Sequence, residues 1–404
     1  MNTDSVFFCE NRADNHSEIR ENFFSPRLKS VLYDVPNRHC FSDRRTAPTP
    51  FEPLAGGTQG AGVSSVCDHR SMTPRRRIAI AIVIVLVSGC GAGREPGWIE
   101  ERLATRADFT GICFLDPDRG FLVGGDYFID GGIVGVTDDG GRSWSFRSGL
   151  VGAKAGFRLN DIVFLDRFVG IAAGSHGVIL RTDDRGRSWH SVRAASGGTD
   201  HFRDLFFLDD RHGWALGFNG VVHTTDGGRT WAWLGERRSI SGNAIHFFDR
   251  VHGLVAGKHG RIHRTDDGGE SWVLVTGDDQ TGTSELHAMT FVGPMRGWAA
   301  GSDGAILHSN DGGHSWRRQH TGARGRVADI EFVDLDRGWA LVVDRSTSSS
   351  VVLVTSDGGQ RWLEDRRVDG ELLHSIFFFD GAHGWAVGGR PEHGPQVLLR
   401  YGVR

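Results

Sequence analysis

The stretch Thr137–Trp144 reads TDDGGRSW, and its pattern of a hydroxyl residue, aspartate two on, glycine four on and tryptophan seven on returns five times. The later copies run Thr182–Trp189, Thr224–Trp231, Thr265–Trp272, Ser309–Trp316 and Thr355–Trp362, with successive tryptophans 45, 42, 41, 44 and 46 residues apart. A near-constant period of this length signals a repeat architecture whose units stack on one another. Around each copy the rest of the unit also recurs. An apolar strand of the DIVFLD type begins near Ile112, Asp161, Asp204, Ala244, Ala288, Asp329 and Ser375. A second strand carries Phe121, Ile171, Trp214, Leu254, Trp298, Trp339 and Trp385 at one position, and a third strand of the GVIL type leads into the octapeptide. Short strands with a turn every 8 to 12 residues mark an all-β chain.

The octapeptide resembles the Asp-box, or bacterial neuraminidase repeat, of β-propeller blades. Its chemistry is that of a turn: hydroxyl and carboxylate bond the local backbone, and glycine takes the positive φ that the reversal needs. Asp139, Asp184, Asp226, Asp267, Asp311 and Asp357 are therefore read as fold determinants. A catalytic carboxylate is needed once or twice in a protein, not once per repeat. The tryptophan that closes each octapeptide is expected to pack between neighbouring blades.

Seven first strands but six octapeptides leave one unit short, because the last stops after its third strand, 397–401. The segment Gly97–Glu101, GWIEE, aligns with outer-strand segments such as Ser143–Arg147, SWSFR, and can supply the missing strand. The expected fold is thus a seven-bladed β-propeller with Asp-box turns, closed by pairing an N-terminal strand with the last blade. Closure of this kind removes exposed strand edges.

Composition narrows the function. The chain has 404 residues, 58 glycines, 12 tryptophans, 24% charged residues and a net charge of -4, which excludes collagen, low-complexity disorder and a multi-pass membrane protein. The acidic excess grows once the first 89 residues are set aside, so no nucleic-acid partner is expected. Residues 75–90 read RRRIAIAIVIVLVSGC. Three arginines, an apolar run too short to span a bilayer and small residues before a cysteine have the layout of an export signal. Val87-Ser88-Gly89-Cys90 resembles the bacterial lipobox, which implies lipidation of Cys90 and a lipid-anchored protein on the cell envelope. The expected organisation is a non-native or disordered extension over 1–71, a lipoprotein signal peptide over 72–89 and the propeller over 90–404. Cys9, Cys40 and Cys67 precede the signal, leaving Cys113 alone in an apolar strand, where it has no internal disulfide partner.

Counting strands outward from the centre, the octapeptides share one side with the turns between first and second strands. The other side, built from the second-to-third loops and the crossovers between blades, is the candidate binding face. Its crossovers are read as basic: Arg147, Lys154, Arg158, Arg193, Arg203, Arg237, Arg238, Arg317, Arg318, Arg324, Arg326, Arg366 and Arg367. Arg158, Arg203, Arg237, Arg238, Arg324, Arg326, Arg366 and Arg367 are the partner-binding candidates, since arginine suits anionic peptides and carboxylates. The loops on that face add Asp126, Tyr127, Asp130, His176, Asn219, His259, Asp303, Asp344 and Arg345. No pair among them has metal-site spacing, and neither metal nor other cofactor is expected.

With its D-I-x-F-x-D, G-W-A-x-G and T-x-D-G-G-x-x-W elements, the unit over residues 110–404 resembles the photosystem II stability and assembly factor family. The resemblance implies a non-enzymatic scaffold for a protein or peptide partner, such as a membrane-protein assembly intermediate, acting as a monomer. The alternative is an Asp-box glycoside hydrolase of the sialidase kind, which uses a tyrosine nucleophile. Past the signal segment only Tyr127 and Tyr401 are available for that role, and the Arg-Ile-Pro signature is absent.

Overall fold

The computed structural model describes residues 96–125, 131–150, 157–193, 200–236, 239–276, 282–389 and 394–402. The extension, the signal segment, Cys90, Asp126, Tyr127, Asp130, Lys154, Arg237 and Arg238 lie outside the described residues. The described chain forms seven antiparallel four-stranded sheets, and six of them take four consecutive strands each. Their innermost strands are Asp108–Phe114, Leu159–Phe164, Phe202–Phe207, Ala244–Phe247, Leu286–Val292 and Arg326–Phe332, numbered here as blades 1 to 6. Blade 7 starts at Leu373–Phe378 and takes its outer strand from the other end of the chain. Gly97–Arg102 pairs antiparallel with Val397–Gly402, with Trp98 opposite Tyr401 and Arg102 opposite Val397. This closes a seven-bladed β-propeller.

Each innermost strand carries a buried phenylalanine at or one residue before its end, and aromatic stacking on it sets contacts between blades. Trp385 of blade 7 stacks on Phe114 of blade 1 with centroids 3.5 Å apart, Trp214 on Phe247 at 3.8 Å, Trp298 on Phe332 at 3.6 Å and Trp339 on Phe378 at 3.6 Å. In each pair the large ring belongs to the second strand of the preceding blade, and planar offset stacking adds to the apolar area removed from water. The octapeptide tryptophans join this layer edge-on to the phenylalanine of their own blade, as Trp144 does on Phe114 and Trp362 on Phe332. In blade 7 Trp98 fills that same place, edge-on to Phe378 at 5.8 Å. The second-strand tryptophans also reach across polar contacts: Trp385 Nε1 donates to the Gly140 carbonyl at 2.9 Å, in the octapeptide of blade 1.

The octapeptide aspartates are used up by their own turns. In the first copy Thr137 Oγ1 donates to Asp139 at 2.8 Å and accepts the Gly141 amide at 3.0 Å, while Ser143 gives Asp139 both its amide at 2.9 Å and its hydroxyl at 2.6 Å. The Ser143 hydroxyl bond holds the Asp139 carboxyl down at about 2, and the Ser271 hydroxyl does the same for Asp267. In the last copy Arg361 stands where the others have serine or threonine, so Asp357 receives only the amide there, at 2.9 Å. The glycine four residues after the hydroxyl residue is required twice over. Gly186 has φ 75°, and a Cβ there would sit 2.6 Å from the Phe121 ring of the preceding blade.

Candidate binding site at the channel mouth

Four residues before their phenylalanine, the inner strands carry Thr110, Asn160, Arg203, His287, Ala328 and His374, and in blade 4 Asn243 stands just before the strand at the same place. Most of these are polar residues inside apolar strands, and together they line a central cavity of about 130 Å³. Several bridge to the next blade: Thr110 donates to the Leu159 carbonyl at 2.9 Å, Asn160 to Phe202 at 2.6 Å and Asn243 to Leu286 at 2.7 Å. One position further along, Asp161 accepts the Leu205 amide at 2.8 Å, Asp204 the Ile245 amide at 2.7 Å and Asp329 the Ile376 amide at 3.0 Å. The aspartate that opens the DIVFLD-type strand is thus a tie between blades, which satisfies backbone donors that the channel would otherwise leave bare.

At the mouth, where the inner strands begin, the charges gather. Arg203 lies over the Phe218 ring at 4.1 Å and 4.0 Å from Glu285, which also accepts Asn243 Nδ2 at 2.9 Å. Arg326 is half-buried, and its buried Nε has no acceptor among the described residues. Burial lowers the Arg326 pKa, and the charges of Arg345 and Arg203 lower it further against the pull of Glu285. His287, beside the same groups, is held at about 4 by burial and by Arg326. Arg203 and Arg326, from blades 3 and 6, thus come under the influence of the same carboxylate, Glu285, and Arg345 lies close enough to act on Arg326. A row of rings runs along the same rim: Phe157 to His176 at 4.8 Å, His176 to His201 at 5.3 Å and His201 to Phe218 at 5.5 Å.

The other arginines stand apart from this cluster, which corrects their reading as crossover residues. Arg366 and Arg367 lie within the outer strand Leu363–Asp369 and are paired with Glu100 at 2.9 Å and Glu364 at 2.6 Å. Arg147, Arg193, Arg317 and Arg318 likewise belong to outer strands, because those strands run past the point at which the sequence pattern ends. Arg203 and Arg326 sit in inner strands, and Arg158, just before one, is bound to Asp108 at 2.6 Å. Of the described candidates, Arg324 is the exposed crossover residue. In the loops, His176, His259 and Asp303 hold one left-handed turn position, each at φ 58°, and Asn219 donates to Asp200 at 2.7 Å. No group of three or more His, Cys, Asp or Glu side chains is placed to hold a metal among the described residues. Sequence reading passed over Glu285, His287, His201 and Phe218. Aligning the seven inner strands on their phenylalanine would have exposed His287 as a polar residue at a channel position.

Comparison with known proteins agrees with this architecture. The family model described as "Photosynthesis system II assembly factor YCF48" matches residues 92–197 and 238–324. The photosystem II assembly lipoprotein Ycf48 of Synechococcus sp. (strain CC9902) is 35% identical over 121 residues, 28% of this chain and 34% of that protein. The chloroplastic photosystem II stability/assembly factor HCF136 of Arabidopsis thaliana is 30% identical over 100 residues, 23% of this chain and 25% of that protein. The matched stretches thus span about a third and a quarter of these relatives. A solved structure of YCF48 bound to D1 peptide superposes with a TM-score of 0.61 at 21% identity, over 77% of this chain and 98% of that one, which shows a shared fold. The chain is thus similar in sequence, over part of its length, to photosystem II assembly factors, and it shares the β-propeller fold of YCF48.

Proposed function

We propose that the protein is a non-enzymatic assembly scaffold that holds an acidic, extended segment of a partner protein across the channel mouth, as a monomer tethered to the bacterial envelope through lipidated Cys90. The observation that carries this reading is the gathering at the mouth of Arg203, beside Glu285, and Arg326, on which Arg345 also acts, next to a rim of half-buried rings. Guanidinium groups already partly withdrawn from water bind carboxylates more strongly than solvated ones, and flanking aromatic faces accept the segment's apolar parts. The lipoprotein name of the Synechococcus relative, and the peptide in the YCF48 structure, support the tether and the kind of partner. Among the described residues no helix is long and apolar enough to cross a membrane.

The test is crosslinking followed by pull-down from native membranes, with the wild-type chain and an Arg203→Gln/Arg345→Glu variant. Arg345 is exposed and Arg203 has its ring and carboxylate neighbours at one edge, so the fold should survive, as thermal unfolding would verify. Loss of the captured partner from the variant, with wild-type capture weakening as salt is raised, is the expected result. Equal capture by both chains would reject the mouth as the binding face.

A further inference from the structure

Blade 6 breaks the repeat. Its third and outer strands, Ser349–Thr355 and Leu363–Asp369, are seven residues long, whereas the outer strand of blade 5, Arg317–Gln319, has three. The extra length runs toward the mouth side, and the short neighbour leaves part of the blade 6 face uncovered. Between that face and the crossover residues Thr321–Arg324 lies a cleft of about 400 Å³. This is within the usual size range of small-molecule sites.

The floor of the cleft is apolar, formed by Val342, Val351, Leu353 and Trp362. Its polar groups are unevenly served. Glu364 is paired with Arg367 at 2.6 Å, and Asp344 accepts the amide and hydroxyl of Ser346 at 2.8 and 2.6 Å. The donors are not so served. The octapeptide indoles of Trp144, Trp231, Trp272 and Trp316 donate to their own turn at 3.0 to 3.2 Å. In the last copy's turn the Gly358 carbonyl accepts Gln319 Nε2 at 2.8 Å and Trp298 Nε1 at 3.1 Å, and the Trp189 indole, like that of Trp362, has no acceptor among the described residues. The Trp362 indole N–H, on a side chain only 8% exposed, has no acceptor among the described residues. Arg324, exposed at the rim, has no ion pair there either. A ligand with a hydrocarbon body gains by covering the apolar floor, and an anionic end gains from the Arg324 guanidinium at the rim.

The geometry points to a ligand site in this cleft for a small apolar carboxylate, its hydrocarbon body against Val351, Leu353 and Trp362 and its anion served by Arg324. The site is separate from the channel mouth and does not depend on the scaffold reading. It is tested with the full chain carrying isotope-labelled tryptophan indoles, using phenylbutyrate and the uncharged phenylbutanol as probes. The Trp362 resonance is identified by its loss in Trp362→Phe. Phenylbutyrate should shift that resonance saturably while leaving Trp144 in place, and phenylbutanol should bind about fivefold more weakly. Arg324→Ala should lower acid affinity by the same factor without changing that of the alcohol, and Val351→Trp, which fills the floor, should abolish both shifts. No saturable shift with millimolar phenylbutyrate, or acid affinity unchanged in Arg324→Ala, would overturn the assignment. Arg324→Ala alters only an exposed side chain, so the second arm stands even where the filled variant does not fold.

Discussion

Substituting Trp98 is the most direct way to ask whether the ring is held shut by the N-terminal strand. Trp98 is 6% exposed, edge-on to Phe378, 5.1 Å from Tyr401, and donates through Nε1 to Asp365 at 2.7 Å. Burial raises the Asp365 pKa against the opposing effect of the Trp98 bond, so losing that donor leaves the Asp365 carboxylate less well served. Trp98→Ala should cost about 3–5 kcal/mol, as for other large-to-small changes at buried aromatics. Trp98→Phe keeps most of the apolar contact and should cost about 1–3 kcal/mol through the lost hydrogen bond to a carboxylate. Guanidinium unfolding at neutral pH, followed by tryptophan fluorescence and by circular dichroism, measures both, with Trp144→Ala as the internal standard for an octapeptide tryptophan. Trp98→Ala and Trp144→Ala should lower the midpoint by similar amounts, since the two rings hold equivalent places on Phe378 and Phe114. A Trp98→Ala midpoint within experimental error of wild type would refute the reasoning, because it would mean that the pairing of Gly97–Arg102 with Val397–Gly402 bears no load.

Two further outcomes are expected. His246 is wholly buried among Phe206, Phe248 and Phe291, and burial holds its pKa at about 3, below the 6.5 of the unfolded chain. Its contribution is complete above about pH 6.5 and is lost progressively as the pH falls toward 3, at up to about 1.4 kcal/mol per pH unit. His246→Phe, which copies Phe206 and Phe377 at the same place in blades 3 and 7, should flatten the decline in urea midpoint between pH 6.5 and 5, and an unaltered slope would exclude His246 as its source. Cys90→Ser should abolish incorporation of labelled palmitate and move the protein from the membrane to the soluble fraction of the producing bacterium; continued incorporation would remove Cys90 as the lipid site.

What the sequence determined by itself is everything that repeats. A hydroxyl, an aspartate, a glycine and a tryptophan at fixed spacing specify one turn through contacts within eight residues, and Thr137, Asp139 and Ser143 make those contacts in the structure as their chemistry requires. Seven apolar strands at a constant period likewise fix the blade count, and the partial match of GWIEE to an outer strand is enough to suggest the closure. What only the tertiary structure decided depends on distances between blades, for which a one-blade motif carries no information. Arg366 and Arg203 look alike in sequence, yet one is paired with Glu100 on the outer edge and the other sits at the channel mouth over Phe218. Glu285, His287 and Arg326 become neighbours of Arg203 only because the sheets turn about one axis and bring strand starts together from separate repeats. The cleft beside Trp362 arises in the same way, from the mismatch in length between two adjacent outer strands, and a mismatch between neighbours is a property of neither strand alone.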